Sequence, residues 1–174
     1  NNFKKAIDLD EYIAEAYAGL GFIFCEEEEH ESAIKFLKRA HKLSPYNTDY
    51  LFVLVEQHNK IEKYKTSLKY LKEIEELAPY EINLYIGYME VYILLDDIDK
   101  AIKSIERGIN FLGKKAPLLY RLAFINFVQE DFELGLYNLE EALNMDYEGV
   151  QEFIDFDPNF VMNNENILNL INEY

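Results

Sequence analysis

Apolar and small residues recur along the chain at a fixed step of 34 positions. Small residues form one such column at Ala33, Ser67, Ala101 and Gly135. Large aliphatic residues form a second column at Leu37, Leu71, Ile105 and Leu139. A third column holds Tyr17, Leu51, Tyr85 and Leu119. A period of this length indicates one supersecondary unit that is stacked several times, because a single unit cannot bury its apolar face alone. The pattern therefore predicts an elongated solenoid with an extended concave surface.

Residues 14–47 serve as the reference unit, and their spacing predicts two helices. The first apolar stripe consists of Tyr17, Leu20, Gly21 and Phe24. After the acidic run 26–29, a second stripe consists of Ala33, Leu37 and Ala40. Both stripes have the spacing of three or four residues that places side chains on one helix face. Pro45 follows the second stripe, and proline disfavours the helical conformation in the residue before it. The unit is predicted to be a helix-turn-helix.

The columns of the reference unit resemble the tetratricopeptide repeat, whose 34-residue pattern runs from an aromatic residue through Leu-Gly, Tyr, Ala, Phe and Ala to Pro. The matching residues are Tyr17, Leu20, Gly21, Phe24, Ala33, Leu37, Ala40 and Pro45. The later repeats depart from this pattern at five positions, which hold Val55, His58, Gly113, Asn126 and Tyr147. The resemblance implies an all-α fold, a right-handed α-α superhelix of helix-turn-helix repeats that ends in a capping helix.

The same period divides the chain. Residues 1–13 are predicted to contain the second helix of a truncated preceding repeat. Four full repeats follow at 14–47, 48–81, 82–115 and 116–149. Residues 150–174 are predicted to form a half repeat and a C-terminal cap, with Asp157-Pro158 interrupting the first helix of that half repeat. The chain begins without methionine and is interpreted as a piece of a longer protein.

Charge narrows the class of partner. The net charge is −16 and the sequence pI is about 4.5, which argues against nucleic acid as a partner and favours a basic partner.

No apolar run approaches the roughly 20 residues of a membrane-spanning helix. Cys25 is the single cysteine, so no disulfide forms within the chain. A cytoplasmic location is the expectation.

The sequence offers little for catalysis or for metals. The three histidines, His30, His41 and His58, fall in different repeat positions and form no metal-ligand pair. Neither the acidic run 26–29 nor the run 96–99 completes a calcium-binding loop. Glycine-rich phosphate loops and serine nucleophile elbows are absent from the sequence. We therefore predict no enzyme activity, no cofactor and no metal.

In tetratricopeptide-repeat proteins the first helix of each repeat lines the concave face. The resemblance places eight candidate ligand-binding residues there: Phe22, Phe52, Glu56, Asn83, Glu90, Tyr120, Arg121 and Phe124. The resemblance also implies that the clamp of lysines, asparagines and an arginine with which some members of the family grip chaperone tails is absent, because the corresponding positions hold Ala18, Phe22, Val53 and Ile86. The prediction is a non-catalytic scaffold that binds a basic and apolar peptide or helix in this groove.

Two other classes of function stay open at the level of sequence. One is a structural self-assembly element, in which Phe3 and Ala6 at the truncated N-terminal edge support a homodimer. The other is a carbohydrate-binding helical-repeat component, suggested by an aromatic content of 15% and opposed by the absence of tryptophan. A measurement of molecular size separates the first alternative from peptide binding, and a glycan screen tests the second.

Overall fold

The computed structural model describes residues 2–174, which form helices and no strands. The described chain divides into two compact units. The first ends at Asp96 and the second is Asp97–Tyr174. The predicted all-α class is confirmed.

The described residues of the first unit form six helices. They are α1 (Asn2–Leu9), α2 (Ala14–Glu26), α3 (His30–Leu43), α4 (Thr48–Lys60), α5 (Tyr64–Leu77) and α6 (Ile82–Leu94). Each of these helices contacts the next one along the chain. The helix pair α2 and α3 lies within the predicted repeat 14–47, and α4 and α5 lie within 48–81.

The second unit contains the remaining six helices of the described residues. They are α7 (Ile98–Leu112), α8 (Ala116–Val128), α9 (Phe132–Met145), α10 (Val150–Phe156), α11 (Pro158–Met162) and α12 (Glu165–Asn172). The interruption predicted at Asp157-Pro158 separates α10 from α11. There the Asp157 carboxylate accepts a hydrogen bond from the Phe160 backbone N–H at 3.0 Å. Proline suits the first position of α11, where its missing N–H needs no partner.

First and second helices of the repeats differ in how their apolar residues are spread. Helix α8 is apolar around most of its circumference, and α7, α9 and α10 all contact it. Helix α3 instead buries a single stripe, consisting of Ala33, Ile34, Leu37 and Ala40. A helix that is apolar all round requires neighbours on several sides, whereas an amphipathic helix needs cover on one side. Helix α8 is therefore enclosed by neighbouring helices, whereas α3 keeps one face towards solvent.

Each turn between the paired helices of a full repeat contains one residue in the left-handed conformation. These residues are Glu28, Glu62, Asp96 and Glu130, with φ between 57° and 63°. At the first turn, the Glu29 N–H donates to the Phe24 carbonyl at 2.8 Å and the Glu28 N–H donates to the Cys25 carbonyl at 3.1 Å. This bond pair is the Schellman motif, which usually takes glycine at the left-handed position.

Replacing Glu28 with glycine is expected to raise the free energy of unfolding by about 0.5–1 kcal/mol. The left-handed conformation costs a residue with a side chain roughly 1–2 kcal/mol, and glycine avoids this cost. Part of the gain is offset because glycine loses more backbone entropy on folding. Glu27 is the matched control, since it lies next to Glu28 with an ordinary φ of −81°. Glu27→Gly should lower stability. Urea unfolding followed by circular dichroism compares the two variants, and a loss of stability in Glu28→Gly would contradict the argument.

Candidate binding surface on the first helices

The first unit carries five of the eight predicted binding residues, on α2, α4 and α6. Phe22 is 40% exposed although it is a large aromatic residue. Glu56 and Asn83 are exposed, while Phe52 and Glu90 are half-buried. We call these five residues the first-helix face. Side chains of both apolar and acidic character are therefore accessible on this face.

Acidic side chains of α2 and α4 influence the same titratable groups on these helices. The pKa of the Cys25 thiol is raised by burial first, and then by the negative charges of Glu56 and Glu26. The pKa of the Tyr50 hydroxyl is raised in the same way, by burial and then by Glu15 and Asp49. Negative charge from both helices therefore acts at Cys25 and at Tyr50, which suits a cationic partner.

Helix α1 covers part of α2 one helical turn before Phe22. The Phe3 ring occupies the space beside Gly19, where an added Cβ would lie 2.4 Å from two ring carbons. A larger residue at position 19 would displace the Phe3 ring. Helix α1 thus packs against α2, and 40% of the Phe22 side chain still faces solvent.

In the second unit, Tyr120 is a core residue. It is 2% exposed, its ring lies 6.0 Å from that of Phe153, and its hydroxyl donates to the Asp146 carbonyl at 2.5 Å. Burial, followed by the charges of Asp146 and Tyr147, raises the pKa of Tyr120 to about 12. Tyr120 therefore presents almost no surface to a partner, and its role in this structure is packing.

The C-terminal helices cover the other two candidates of the second unit. The Phe124 ring meets that of Phe156 edge to face at 4.4 Å and that of Phe160 at 6.0 Å. The Arg121 guanidinium lies 5.0 Å from the centre of the Phe156 ring and 3.8 Å from the Glu152 carboxylate. Arg121 and Phe124 are thus occupied by the protein itself.

The sequence contained a signal for this cover that the prediction did not use. Phe156 and Phe160 stand 136 positions, or four repeat periods, after Leu20 and Phe24. Residues in those columns pack against neighbouring helices in the reference unit, so aromatic side chains there were candidates for contact with α8. The break at Asp157-Pro158 lies between the two columns and interrupts the helix, although both aromatic residues keep the period.

Each of the three histidines has a contact within the protein. His58 is 2% exposed, and its Nδ1–H donates to the Leu54 carbonyl at 2.7 Å. Burial is the main cause that lowers its pKa. His30 bonds to Gln57 at 2.8 Å, and His41 lies 3.0 Å from Glu73. Within residues 2–174, no group of three or more histidine, cysteine or acidic side chains is placed to hold a metal ion.

No helix of the described residues is long and apolar enough to cross a bilayer. No protein-family model matches the sequence, and the comparison with curated proteins finds no relative.

Several solved structures resemble the chain. TTC0263, a thermophilic TPR protein of Thermus thermophilus, is 19% identical with a TM-score of 0.69, covering 88% of this chain and 86% of that one. MamA of Desulfovibrio magneticus RS-1 is 16% identical with a TM-score of 0.68, covering 82% and 81%. YrrB, described as a TPR protein with an unusual peptide-binding site, is 22% identical with a TM-score of 0.61, covering 82% and 73%. These likenesses show that the chain has the tetratricopeptide-repeat fold, as the columns of the sequence predicted.

Proposed function

We propose that this tetratricopeptide-repeat protein is a non-catalytic interaction scaffold whose first-helix face binds a peptide or helix that carries aromatic and basic side chains. The peptide-binding site ascribed to YrrB supports peptide recognition as a use of this fold. The proposal for this chain depends on its own residues, and above all on one phenylalanine column.

The observation that carries the proposal is the contrast between Phe22 and Phe124. The two residues stand 102 positions apart, which is three repeat periods, and so occupy the same column of first helices. Phe124 is covered by the rings of Phe156 and Phe160, whereas Phe22 is 40% exposed. The contacts of Phe124 indicate what covers a phenylalanine in this column. An aromatic side chain of a partner would pack on Phe22 in the same way, because a pair of aromatic rings adds binding free energy beyond that of the area it buries.

Charge supplies the second half of the specificity. Glu56 stands in the position of Phe22 one repeat later, and its carboxylate lies near Cys25 on α2. A lysine or arginine beside the aromatic anchor would meet this negative field, which favours selectivity and a fast association rate. We infer a basic and aromatic segment as the partner, in line with the net charge of −16.

The proposal is tested by selecting peptides from a random displayed library on the full chain and measuring their affinities by calorimetry. The selected peptides should be enriched in aromatic and basic residues. Phe22→Ala should weaken a selected peptide about tenfold, since a truncated anchor costs more than 1 kcal/mol. Glu56→Lys should weaken it less, and increasingly less as salt is added, because an exposed charge is screened.

Tyr46→Ala is the matched control for Phe22→Ala. Tyr46 lies between α3 and α4 in the same unit and is 83% exposed, so its truncation removes an exposed aromatic away from the first-helix face. The affinity of the Tyr46→Ala variant for the selected peptide should stay within about twofold of that of the unmodified chain. Enrichment of acidic peptides, or full affinity in both Phe22→Ala and Glu56→Lys, would refute the proposal.

A further inference from the structure

A trough with about 520 Å³ of open space runs between α9 and α12 in the second unit. Helix α9 contributes Glu133, Leu136, Tyr137 and Glu140, which lie at helical spacing on one face. Leu136 is half-buried and packs against the core of the unit, while Tyr137 is 51% exposed. One wall of the trough therefore combines an apolar base with two carboxylates.

Helix α12 contributes the opposite wall through Asn166, Asn169 and Leu170, together with Glu173 directly after the helix. Leu170 packs against the same core as Leu136. Asn166 and Asn169 are exposed, and each amide offers both a donor and an acceptor, as a peptide group does. The α12 wall thus adds hydrogen-bonding groups suited to a peptide backbone and a third carboxylate.

The charge of the trough is of one sign. Among the described residues that line it, three are glutamates and none is a lysine or arginine. The nearby cation is Lys114, whose ammonium lies 5.8 Å from the centre of the Tyr137 ring and forms an ion pair with Glu141. Lys114 is therefore already paired with Glu141 and does not line the trough.

We propose that the trough between α9 and α12 is a second docking site, for an extended segment of a partner protein in which basic and apolar residues alternate. This inference concerns the second unit and does not depend on the proposed role of the first-helix face. The apolar side chains of the segment lie against Leu136 and Leu170, and its lysines or arginines reach Glu133, Glu140 and Glu173. The asparagine amides bond its backbone.

The dimensions fit a short extended segment. Asn166 lies on α12 and Glu173 directly follows that helix, seven positions later, which corresponds to about 10 Å along a helix axis. Three residues in extended conformation span about the same length, so in a segment of five or six residues the outer ones reach the ends of the trough. Successive side chains of such a segment point to opposite sides, so alternation places the apolar side chains against Leu136 and Leu170, and the long basic side chains bend from the open side to the glutamates at the rim.

A second copy of this chain is a poorer occupant. Symmetric pairing through the trough would bring Glu133, Glu140 and Glu173 against the same residues of the other copy, and like charges facing each other across an interface are costly. The net charge of −16 adds a general repulsion between copies. A cationic partner removes both penalties.

The test uses a capped hexapeptide of alternating leucine and lysine, titrated into the isotopically labelled full chain at low salt. Amide NMR signals of residues 133–140 and 166–173 should shift most. A peptide of alternating serine and lysine has the same charge without the apolar side chains, and it should bind at least about tenfold more weakly because it leaves the leucine floor uncovered. Asn169→Ala should weaken the leucine peptide about threefold through the lost amide bonds.

Paired charge reversals separate a site from general attraction. Glu140→Lys with Glu173→Lys should weaken binding about tenfold at low salt and less at high salt. Glu106→Lys with Glu148→Lys is the matched control, because it changes the net charge equally at exposed positions outside the trough. The affinity of this control variant for the leucine and lysine peptide should stay within about twofold of that of the unmodified chain.

Several results would overturn the inference. Equal weakening by the two charge-reversal pairs, or equal binding of the two peptides, would reduce the interaction to unspecific attraction. Shifts confined to α2 and α4 would place the peptide on the first-helix face instead, leaving the function proposed for that face intact. A dimer in sedimentation experiments that is disrupted by Glu140→Lys with Glu173→Lys would identify a second copy as the occupant.

Discussion

Phe127→Ala is expected to lower the free energy of unfolding of the second unit by about 3–5 kcal/mol, the usual cost of truncating a fully packed phenylalanine. Phe127 is 2% exposed, and its ring centre lies 6.3 Å from that of Phe153 and 5.9 Å from that of Phe160. It therefore joins α8 to α10 and α11. Removal of the ring leaves a cavity that helices held on several sides cannot close.

Phe132→Ala is the matched control, because it is the same substitution at a ring whose centre is only 6.0 Å from that of Phe127. Phe132 is 43% exposed, so its truncation should cost about 1 kcal/mol or less. Urea unfolding of the full chain, followed by circular dichroism, measures both variants. Similar losses from the two substitutions would show that Phe127 is not the packing centre of this unit.

A double-mutant cycle with Gly135 sharpens the argument. An added Cβ at Gly135 would lie 2.5 Å from two carbons of the Phe127 ring, so Gly135→Ala forces the ring to move. The cost of that overpacking should largely disappear when the ring is absent. In the Phe127→Ala background, Gly135→Ala should be neutral or stabilising, because alanine also favours the helix. Additive costs would mean that the ring and Gly135 are not coupled.

The repeat period was sufficient to predict the helices because its columns are packing positions. Small residues at Ala33 and Gly135 and large ones at Leu37 and Leu139 recur wherever two helices meet, and all four are buried. The predicted unit 14–47 contains α2 and α3 with the acidic turn between them. The boundaries of the repeats themselves stay a prediction, since helix limits do not define where one repeat passes into the next.

The period could not predict which side chains of a column stay accessible. Phe52 and Tyr120 are two periods apart and share a column, yet Phe52 is half-buried and Tyr120 is 2% exposed. The difference arises from contacts outside the column. The Tyr120 hydroxyl donates to the Asp146 carbonyl, and the Tyr120 ring packs against the Phe153 ring. A column fixes the direction of a side chain, whereas its accessibility depends on whichever segment lies over it.

The trough of the second unit lay outside the sequence prediction for a related reason. It depends on α12 packing against α9, and residues 163–173 showed only an amphipathic pattern with a polar outer side. Leu170 and Leu136 form a common floor because both pack against one core. A pattern within one helix cannot reveal the helix that it faces, so a groove shared by two helices requires the structure.

Ala33→Glu is expected to lower the free energy of unfolding of the first unit by about 3–5 kcal/mol, because it places a carboxylate without a partner in a dry contact between helices. Ala33 is fully buried in α3. Helices α2 and α3 approach closely beside it, since an added Cβ at Gly21 would lie 2.7 Å from the γ-carbon of Leu37. Neither helix can move away to admit water without breaking this contact.

Lys35→Glu is the control on the same helix, where an exposed side chain changes charge in solvent and the cost should be about 0.5 kcal/mol or less. The pH dependence of the stability of Ala33→Glu distinguishes the cost of a buried charge from the steric effect of a larger side chain. Burial raises the pKa of the new glutamate in the folded state, so the unfolded state releases its proton first as pH rises above about 4. The stability difference between Ala33→Glu and the unmodified chain should therefore be smallest at acidic pH, grow as pH rises from about 4 towards the folded-state pKa, and level off above it. A difference independent of pH would mean that the side chain reaches solvent and acts by its size alone.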